Sequence, residues 1–276
     1  TNYYSLYFIS SSNMTSRLII VSGKGGVGKT TIAHAITKEL RARGLNAFYT
    51  SFDQNCPSEI LKDGTPRFMT SPEESSEAYI GLKLNSPLLA KWVMKAPFFK
   101  ALFQVLPPLG HMILLGHYIK ELQDNPEHIV VLDSPASGHA MSMISSLSNF
   151  KEIFKLGVLV EDIDRMNDFL KTPGNTKVLI SSIPTEMSVE EGLDLTKFFK
   201  DWGLDNTELL INNSLNSKEV LESGSSLAHK KLEIEKQIIS RYFSEDIRLI
   251  PQVFSHNTSE ILRGINPIIK GILSEG

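Results

Sequence analysis

A doubly wound, mostly parallel α/β sheet flanked by helices is the fold that the sequence predicts. Six short apolar runs, most of them rich in β-branched residues, alternate with segments of helical character, and a glycine-rich loop follows the first run. The predicted strands are Leu18–Val21, Ala47–Ser51, Ile129–Leu132, Lys177–Ile183, Glu208–Ile211 and Ile247–Ile250. Since neither an internal repeat nor a low-complexity linker interrupts the chain, we expect a single domain over residues 14–276.

Three helices are predicted with definite ends. The first runs from Thr30 to Arg43 and is closed by Gly44. The second opens at Ser188, where Ser188 to Glu191 has capping-box spacing, and ends at Gly203. The third covers Ser226–Tyr242. These helices lie between predicted strands, as a doubly wound sheet requires.

An apolar helical insertion is expected at about residues 68–122. Prolines divide this region into short helices that carry a high density of Leu, Met and Phe. Such side chains can form an adaptable groove for an apolar client. A buried helical layer and a dimer contact are equally compatible with the same composition.

The bulk composition excludes several classes of protein. Lys and Arg total 28 against 31 Asp and Glu, a net charge of −3 that gives no sign of a nucleic-acid partner. The single cysteine, Cys56, excludes an internal disulfide framework and a four-cysteine zinc or iron–sulfur site in one chain. Without a long apolar run or an export signal, the cytoplasm is the expected location. Residues 1–13 precede Met14 and are interpreted as a leader or a non-native extension.

A phosphate-binding loop is the most informative motif of the chain. The pattern G-x-x-x-x-G-K-[ST] is matched by residues 23–30, and Thr31 follows. Its glycines allow backbone N–H groups to approach phosphate oxygens. Lys29 is expected to reach the β- and γ-phosphates, and the Thr30 hydroxyl to hold Mg²⁺. The predicted nucleotide-binding residues are Gly23, Lys24, Gly25, Gly26, Val27, Gly28, Lys29, Thr30 and Thr31.

A second candidate ligand of Mg²⁺ is Asp133. It follows the apolar run Ile129–Leu132, so its carboxylate is expected at the carboxyl end of a buried strand. Ligands of open α/β sheets bind at that edge, and an aspartate there holds Mg²⁺ directly or through water.

Lys24 indicates which class of P-loop protein the sequence resembles. The segment Lys24 to Thr31 resembles the loop K-G-G-x-G-K-[ST] of the deviant P-loop ATPases. That resemblance implies that Lys24 crosses a homodimer interface and contacts the phosphates bound by the other subunit. The alternative is a solvated charge beside an anion site.

The segment after Asp133 resembles switch II of one family within this class. Asp133-Ser134-Pro135-Ala136-Ser137-Gly138-His139 is similar to the D-T-A-P-T-G-H segment of the arsenical-pump and tail-anchored-protein-targeting ATPases, with proline and alanine exchanged. The likeness implies that Asp133, Gly138 and His139 couple the γ-phosphate state to distant sites. The beginning D-S-P-A also resembles the septum-positioning ATPases.

Switch I is expected after the second strand. Ser51 to Ser58 resembles the family segment S-T-D-P-A-x-N, in which the aspartate orients the attacking water. The resemblance makes Asp53 the candidate hydrolytic carboxylate, together with the catalytic lysines Lys24 and Lys29. A turn or helix cap is the alternative role for Asp53.

Adenine is the predicted base. Relatives carry an asparagine that contacts adenine at the position of Asn212, and its amide offers a donor and an acceptor. Pro251 and Val253, after the last strand, would close over the base. Neither N-K-x-D nor T-K-x-D, which read guanine, occurs in the sequence. ATP with Mg²⁺ is therefore the expected ligand.

The resemblance implies a dimeric ATPase that couples its nucleotide state to a client or partner. Arsenite is not an expected substrate, because Cys56 alone cannot supply the clustered thiolates that bind soft metalloids. A partitioning or septum-positioning scaffold is the alternative, and the apolar tail Ser259–Leu273 is the segment that suggests it. A binding module that hydrolyses ATP very slowly is a third possibility.

Overall fold

Six parallel strands form one sheet in this computed structural model. The structure describes residues 16–52, 63–68, 72–84, 107–154, 158–216, 224–244 and 247–274, with isolated positions 86, 88, 95, 220 and 222. The strand order is β2-β3-β1-β4-β5-β6, and every neighbouring pair is parallel. The strands are β1 (Leu18–Gly23), β2 (Asn46–Ser51), β3 (His128–Asp133), β4 (Thr176–Ser182), β5 (Thr207–Ser214) and β6 (Arg248–Pro251). The predicted fold class is confirmed.

Helices of the described residues flank this sheet. They are α1 (Lys29–Ala42), α2 (Pro72–Leu84), α3 (Pro107–Asp124), α4 (Ser137–Phe154), α5 (Val158–Lys171), α6 (Glu186–Asp201), α7 (Ser226–Tyr242) and α8 (Thr258–Ile272). The ends of α1 and α7 lie within one residue of the predicted bounds. Gly44 follows α1 with φ +82° and donates to the Arg41 carbonyl, as a terminating glycine does.

Strand order places the glycine-rich loop at the centre of the sheet. From β1 the chain runs to the edge strand β2, returns to β3 beside β1, and then continues on the other side with β4, β5 and β6. The direction of winding therefore reverses around β1. Ligands of open α/β sheets bind at such a reversal, beyond the carboxyl ends of the strands.

Two apolar layers cover the two faces of the sheet. Leu18 and Ile20 of β1 face the layer formed by α3, α4, α5 and α6, whereas Ile19 and Val21 face α1 and α8. This alternation is the period of two that a strand buried on both faces shows. Both faces of β1 are therefore buried.

The described part of the predicted insertion is a buried helical layer. Most apolar residues of α3 are buried on the sheet, namely Leu109, Met112, Leu114, Leu115, Tyr118, Ile119 and Leu122. This packing supports the buried layer over an open groove for these residues. Most of the segment between α2 and α3 lies outside the described residues, so the groove hypothesis is untested there.

The predicted start of α6 is wrong by two residues. The helix begins at Glu186 with Thr185 as its N-cap residue, and Ser188 already lies in the first turn. Ser188 is not a cap because its hydroxyl oxygen accepts from the Ile183 N–H (3.1 Å) and lies 2.9 Å from Ser182 Oγ. The serine ties the helix to the end of β4 instead.

The apolar tail is a helix that packs into the core. Leu262, Ile265, Ile269 and Ile272 of α8 are buried against α1 and the sheet. At its carboxyl end, Lys177 donates to the Ile272 carbonyl (2.9 Å) and Arg43 to the Lys270 carbonyl (3.2 Å). Cations are favoured at that end of a helix. No described helix is both long enough and apolar enough to span a membrane.

Truncation of Ile269 tests this packing. Ile269→Ala should lower the free energy of unfolding by about 2–5 kcal/mol, because the fully buried side chain leaves a cavity. The control Ile268→Ala, on a half-buried neighbour, should cost less. Urea denaturation of both variants measures the difference. Equal and small losses would show that α8 is held loosely against α1.

Candidate nucleotide-binding site

The glycine-rich loop joins β1 to α1 through positions that require glycine. Gly23, Gly26 and Gly28 have φ angles of +143°, +82° and +89°. A Cβ at Gly23 would lie 2.1 Å from the Ser181 carbonyl oxygen, and one at Gly28 would lie 2.2 Å from Asn212 Nδ2. Any larger residue would therefore force the loop away from the sheet. The strand, loop and helix occur in the order that the sequence predicts.

Two neighbouring strands hold the loop by one carbonyl oxygen. Val27 O accepts hydrogen bonds from Ser181 Oγ at the end of β4 (2.9 Å) and from Asn212 Nδ2 in β5 (2.8 Å). Val27 itself is buried. The exposed backbone of Gly25 and Gly26, by contrast, has open space where a Cβ would stand. The loop is thus anchored at its base and accessible at its tip.

Asn212 has a structural contact that the sequence did not predict. It is buried and donates to the loop, whereas Asn213 is exposed with φ +57° at a bulge of β5. Pro251 ends β6, and Val253 packs against Gly264 of α8, so the Val253 side chain contributes to the core. The contact of Asn212, Pro251 and Val253 with adenine stays a prediction.

A carboxylate and two hydroxyl groups meet beside the loop. Asp133 ends β3, and its Oδ2 accepts from Thr30 Oγ1 of α1 (2.6 Å) and from the Tyr49 hydroxyl of β2 (2.8 Å). Lys29 lies over the loop, where its Nζ donates to the Lys24 carbonyl (2.8 Å). Thr31 follows in the first turn of α1 and is half-buried. The predicted phosphate and metal residues are therefore neighbours in space.

Lys24 is bound to a carboxylate of its own chain. Its Nζ lies 3.0 Å from Glu191 Oε2 in α6, and Glu191 Oε1 accepts a short hydrogen bond from Ser137. Ser137 is the first residue of α4, within the predicted switch II segment. A single carboxylate thus connects the phosphate-binding loop with the start of the switch II helix.

The charge of Glu191 is stabilised by these contacts. The hydrogen bond from Ser137, followed by the contacts with Lys24 and the positive charge of Lys29, lowers the pKa of Glu191 although partial burial opposes the shift. A carboxyl group with a lowered pKa remains ionised at neutral pH. The contribution of its ionised form to the stability of the fold is lost as the pH falls through the folded-state pKa.

Not all predicted site residues can be placed. Asp53 lies outside the described residues, so its role as hydrolytic carboxylate is untested. Gly138 is exposed in the first turn of α4, and the backbone of His139 lies beside it. The His139 side chain lies outside the described part of the structure.

A buried histidine links α1 to the segment that follows the predicted switch I. His34 Nε2 lies 2.7 Å from Asp63 Oδ2 and 3.1 Å from Thr65 Oγ1, and Lys38 also contacts Asp63 (3.0 Å). Burial lowers the pKa of His34, although Asp63 opposes the shift. Hydrogen bonds from Thr65 and Lys38 lower the pKa of Asp63 despite its desolvation. The sequence did not predict this cluster, because a single histidine within a helix does not indicate which residues it contacts.

The donors beside the loop fit Mg²⁺ and phosphate. Thr30 and Asp133 supply hard oxygen atoms, which magnesium prefers. Lys29 supplies a positive charge at the N-terminus of α1, where anions are favoured. The accessible glycines at the loop tip allow close approach of phosphate oxygens.

Comparisons with known proteins agree with these features. Residues 16–63, which include the whole loop, match the model of the anion-transporting ATPase family. An arsenical pump-driving ATPase of Escherichia coli is 25% identical over 186 residues, covering 64% of this chain and 31% of the relative. Over this part of its length the chain is similar to these ATPases.

Two further relatives are covered to a larger share of their own length. A protein of Aquifex aeolicus named for the arsenical pump-driving ATPases is 27% identical over 179 residues, which cover 54% of this chain and 43% of the relative. An ATPase ASNA1 homolog of Plasmodium vivax is 25% identical over 190 residues, covering 64% and 47%. The chain thus spans less than half the length of each curated relative that it matches.

Substitution of Asn212 tests the anchor of the loop. Asn212→Ala removes a buried donor from Val27 O and should lower the free energy of unfolding by about 1–3 kcal/mol. It should also weaken phosphate binding, because the loop loses one of two hydrogen bonds to the sheet. Urea denaturation and calorimetry with ATP measure the two effects.

The adjacent asparagine provides the control. Asn213→Gly keeps the left-handed backbone conformation and removes an exposed side chain, so stability should stay within about 0.5 kcal/mol of the parent. Equal stability of both variants would show that Asn212 does not anchor the loop.

Proposed function

We propose that this protein is a homodimeric, Mg²⁺-dependent ATPase whose nucleotide state controls its affinity for a client or partner. The observation that carries the proposal is the contact of Thr30 with Asp133 beside a glycine-rich loop at the carboxyl edge of the sheet. The ArsA-like sequence and the matched relatives, which are named as ATPases, support the same activity. Activity, partners and substrates are proposed for this chain, since it spans only part of those relatives.

The residues of the loop have distinct proposed roles. Backbone N–H groups of the loop bind the phosphates, and the Lys29 ammonium turns from the Lys24 carbonyl to the β- and γ-phosphate oxygens. Thr30 and Asp133 would hold the magnesium ion, and a bound ion would supply positive charge to the phosphate site. Asp53 orients the attacking water and accepts its proton in this scheme.

Lys24 is proposed to act across the dimer. Its Nζ, only half-buried, would leave Glu191 and contact the phosphates held by the partner. Glu191 also binds Ser137 at the start of α4, so the exchange would change the contacts of switch II. Binding of ATP and assembly of the dimer would then stabilise each other.

Arsenite is not proposed as the substrate. The sequence contains one cysteine, and soft metalloids need several thiolates. For the client we propose an apolar segment, because relatives of the tail-anchored-targeting type bind such segments and the region 85–106 is rich in apolar residues. The scaffold alternative loses its main support, since the apolar face of α8 is already buried in the core.

The charge of Lys29 should be essential for nucleotide binding. Lys29→Ala should weaken MgATP binding about 10- to 100-fold, since it deletes a charge-assisted contact worth about 1.5–3 kcal/mol. The control Arg41→Ala removes a positive charge from the other end of α1 and should leave the affinity unchanged. Titration calorimetry on the three proteins decides the point. Equal affinities would mean that the nucleotide site lies elsewhere.

The dimer can be tested by mixing two inactive variants. In a dimer with crossing lysines, each site combines Asp53 of one chain with Lys24 of the other. A heterodimer of Lys24→Ala and Asp53→Asn therefore contains one intact site and one doubly altered site. An equimolar mixture with random exchange should recover about a quarter of the parental ATPase rate.

The control mixture uses two lesions that lie in the same site. Lys29→Ala mixed with Asp53→Asn leaves every site with one lesion, so activity should not return. Phosphate release and sedimentation velocity with ATP are measured on both mixtures. Absence of recovery in the first mixture, although heterodimers form, would show that Lys24 acts within its own chain.

A further inference from the structure

Tyr49 of β2 has a polar contact that an apolar strand does not require. The residue is fully buried in the layer that α1 and α8 cover, together with Ala47, Ile129 and Val131. Its hydroxyl nevertheless donates to Asp133 Oδ2 at 2.8 Å. Phenylalanine would fill the same apolar space, so the hydroxyl is the part of the side chain that needs an explanation.

The oxygen atom that accepts from Tyr49 also accepts from Thr30. Thr30 Oγ1 lies 2.6 Å from Asp133 Oδ2 and donates its only proton there. A hydroxyl group has one proton and two lone pairs, so the lone pairs of Thr30 remain for a cation. The direction in which they point depends on the position of Asp133.

We propose that Tyr49 is a positioning residue for the divalent cation that accompanies the nucleotide. By fixing Asp133 Oδ2, it holds the proton of Thr30 on the carboxylate and leaves the lone pairs of Thr30 available to the cation. This inference rests on the proposed function, because it concerns the cation bound with ATP. The residue acts through Asp133 and does not touch the cation itself.

The position of Tyr49 makes this orientation rigid. β2 and β3 are in register, with Tyr49 beside Val131 and Ser51 beside Asp133, so the ring spans two residue positions along the sheet edge. A buried ring on a central segment of a strand has few alternative rotamers. Removal of such an outer contact from a metal ligand typically weakens metal binding 10- to 100-fold.

Two buried tyrosines allow a matched experiment. Tyr49→Phe removes the hydroxyl that contacts Asp133. Tyr118→Phe removes an equally buried hydroxyl, which lies 2.6 Å from Thr50 Oγ1 of the same strand. Both changes keep the ring, and each deletes a buried hydrogen bond. Only the first should alter the metal site.

Manganese provides the readout, because its free and bound forms differ in electron paramagnetic resonance. Mn²⁺ is titrated into each protein at saturating ATP, and ATP affinity is measured separately in EDTA. Tyr49→Phe should weaken Mn²⁺ binding about tenfold or more, with ATP affinity in EDTA within about twofold of the parent. Tyr118→Phe should retain the parental Mn²⁺ affinity, and Asp133→Asn should lose at least as much as Tyr49→Phe.

Each other outcome overturns the inference in a recognisable way. Parental Mn²⁺ affinity in Tyr49→Phe, with a loss in Asp133→Asn, would leave Tyr49 only a structural role. Equal losses in both tyrosine variants would show a general effect of destabilisation, which thermal unfolding would confirm. Parental Mn²⁺ affinity in Asp133→Asn would refute the metal site, while unchanged ATP binding in Lys29→Ala would refute the proposed function itself.

Discussion

Close contact between the glycine-rich loop and the ends of β4 and β5 is the constraint on which the site depends. The backbone at Gly23 and Gly28 approaches Ser181 and Asn212 so closely that no Cβ fits between them. The Val27 carbonyl then receives two hydrogen bonds from the same strands. A loop held in this way would lose little further conformational entropy on binding a phosphate group.

Two carboxylates lie beside this loop, and each contacts polar side chains. Lys24 lies against Glu191, and Thr30 lies against Asp133, which Tyr49 also contacts. The carboxylate of Asp133 is almost fully buried and accepts at least two hydrogen bonds, whereas the pair of Lys24 and Glu191 is partly exposed. Solvent screens the exposed pair, so its net energy is small and its partners can exchange. The buried carboxylate is suited to a fixed role and Lys24 to a mobile one.

The sequence predicted the fold well because the strands of a doubly covered sheet are short apolar runs. Five of the six strands lie within two residues of their predicted bounds, and β5 ends three residues later than predicted. The loop precedes the predicted helix. Prediction failed where one polar residue had several possible partners. Ser188 has the spacing of a cap, yet Ser182 and Ile183 lie close enough to bind it instead.

The contacts of the site were harder to predict because they join residues that are far apart in the sequence. Asn212 and Tyr49 occur in strands at distances of 185 and 84 residues from the groups that they bind. Nothing local in the sequence indicates such pairs, since tyrosine is common in strands and asparagine is common after them. Lys29 and Thr30 were singled out by the spacing of the loop motif, and Asp133 by its place at the end of an apolar run.

Glu191 competes with any other anion for the ammonium group of Lys24. As long as the carboxylate holds Lys24, any other anion that recruits this lysine must displace an internal ligand of much higher local concentration. Added salt weakens both the internal and the external contact, so the balance between them depends on ionic strength less than either contact alone. Ser137 donates a hydrogen bond to the same carboxylate, so a change in the contact of Lys24 would alter the surroundings of Ser137. The first turn of α4 and Lys24 are therefore connected through a single side chain, Glu191.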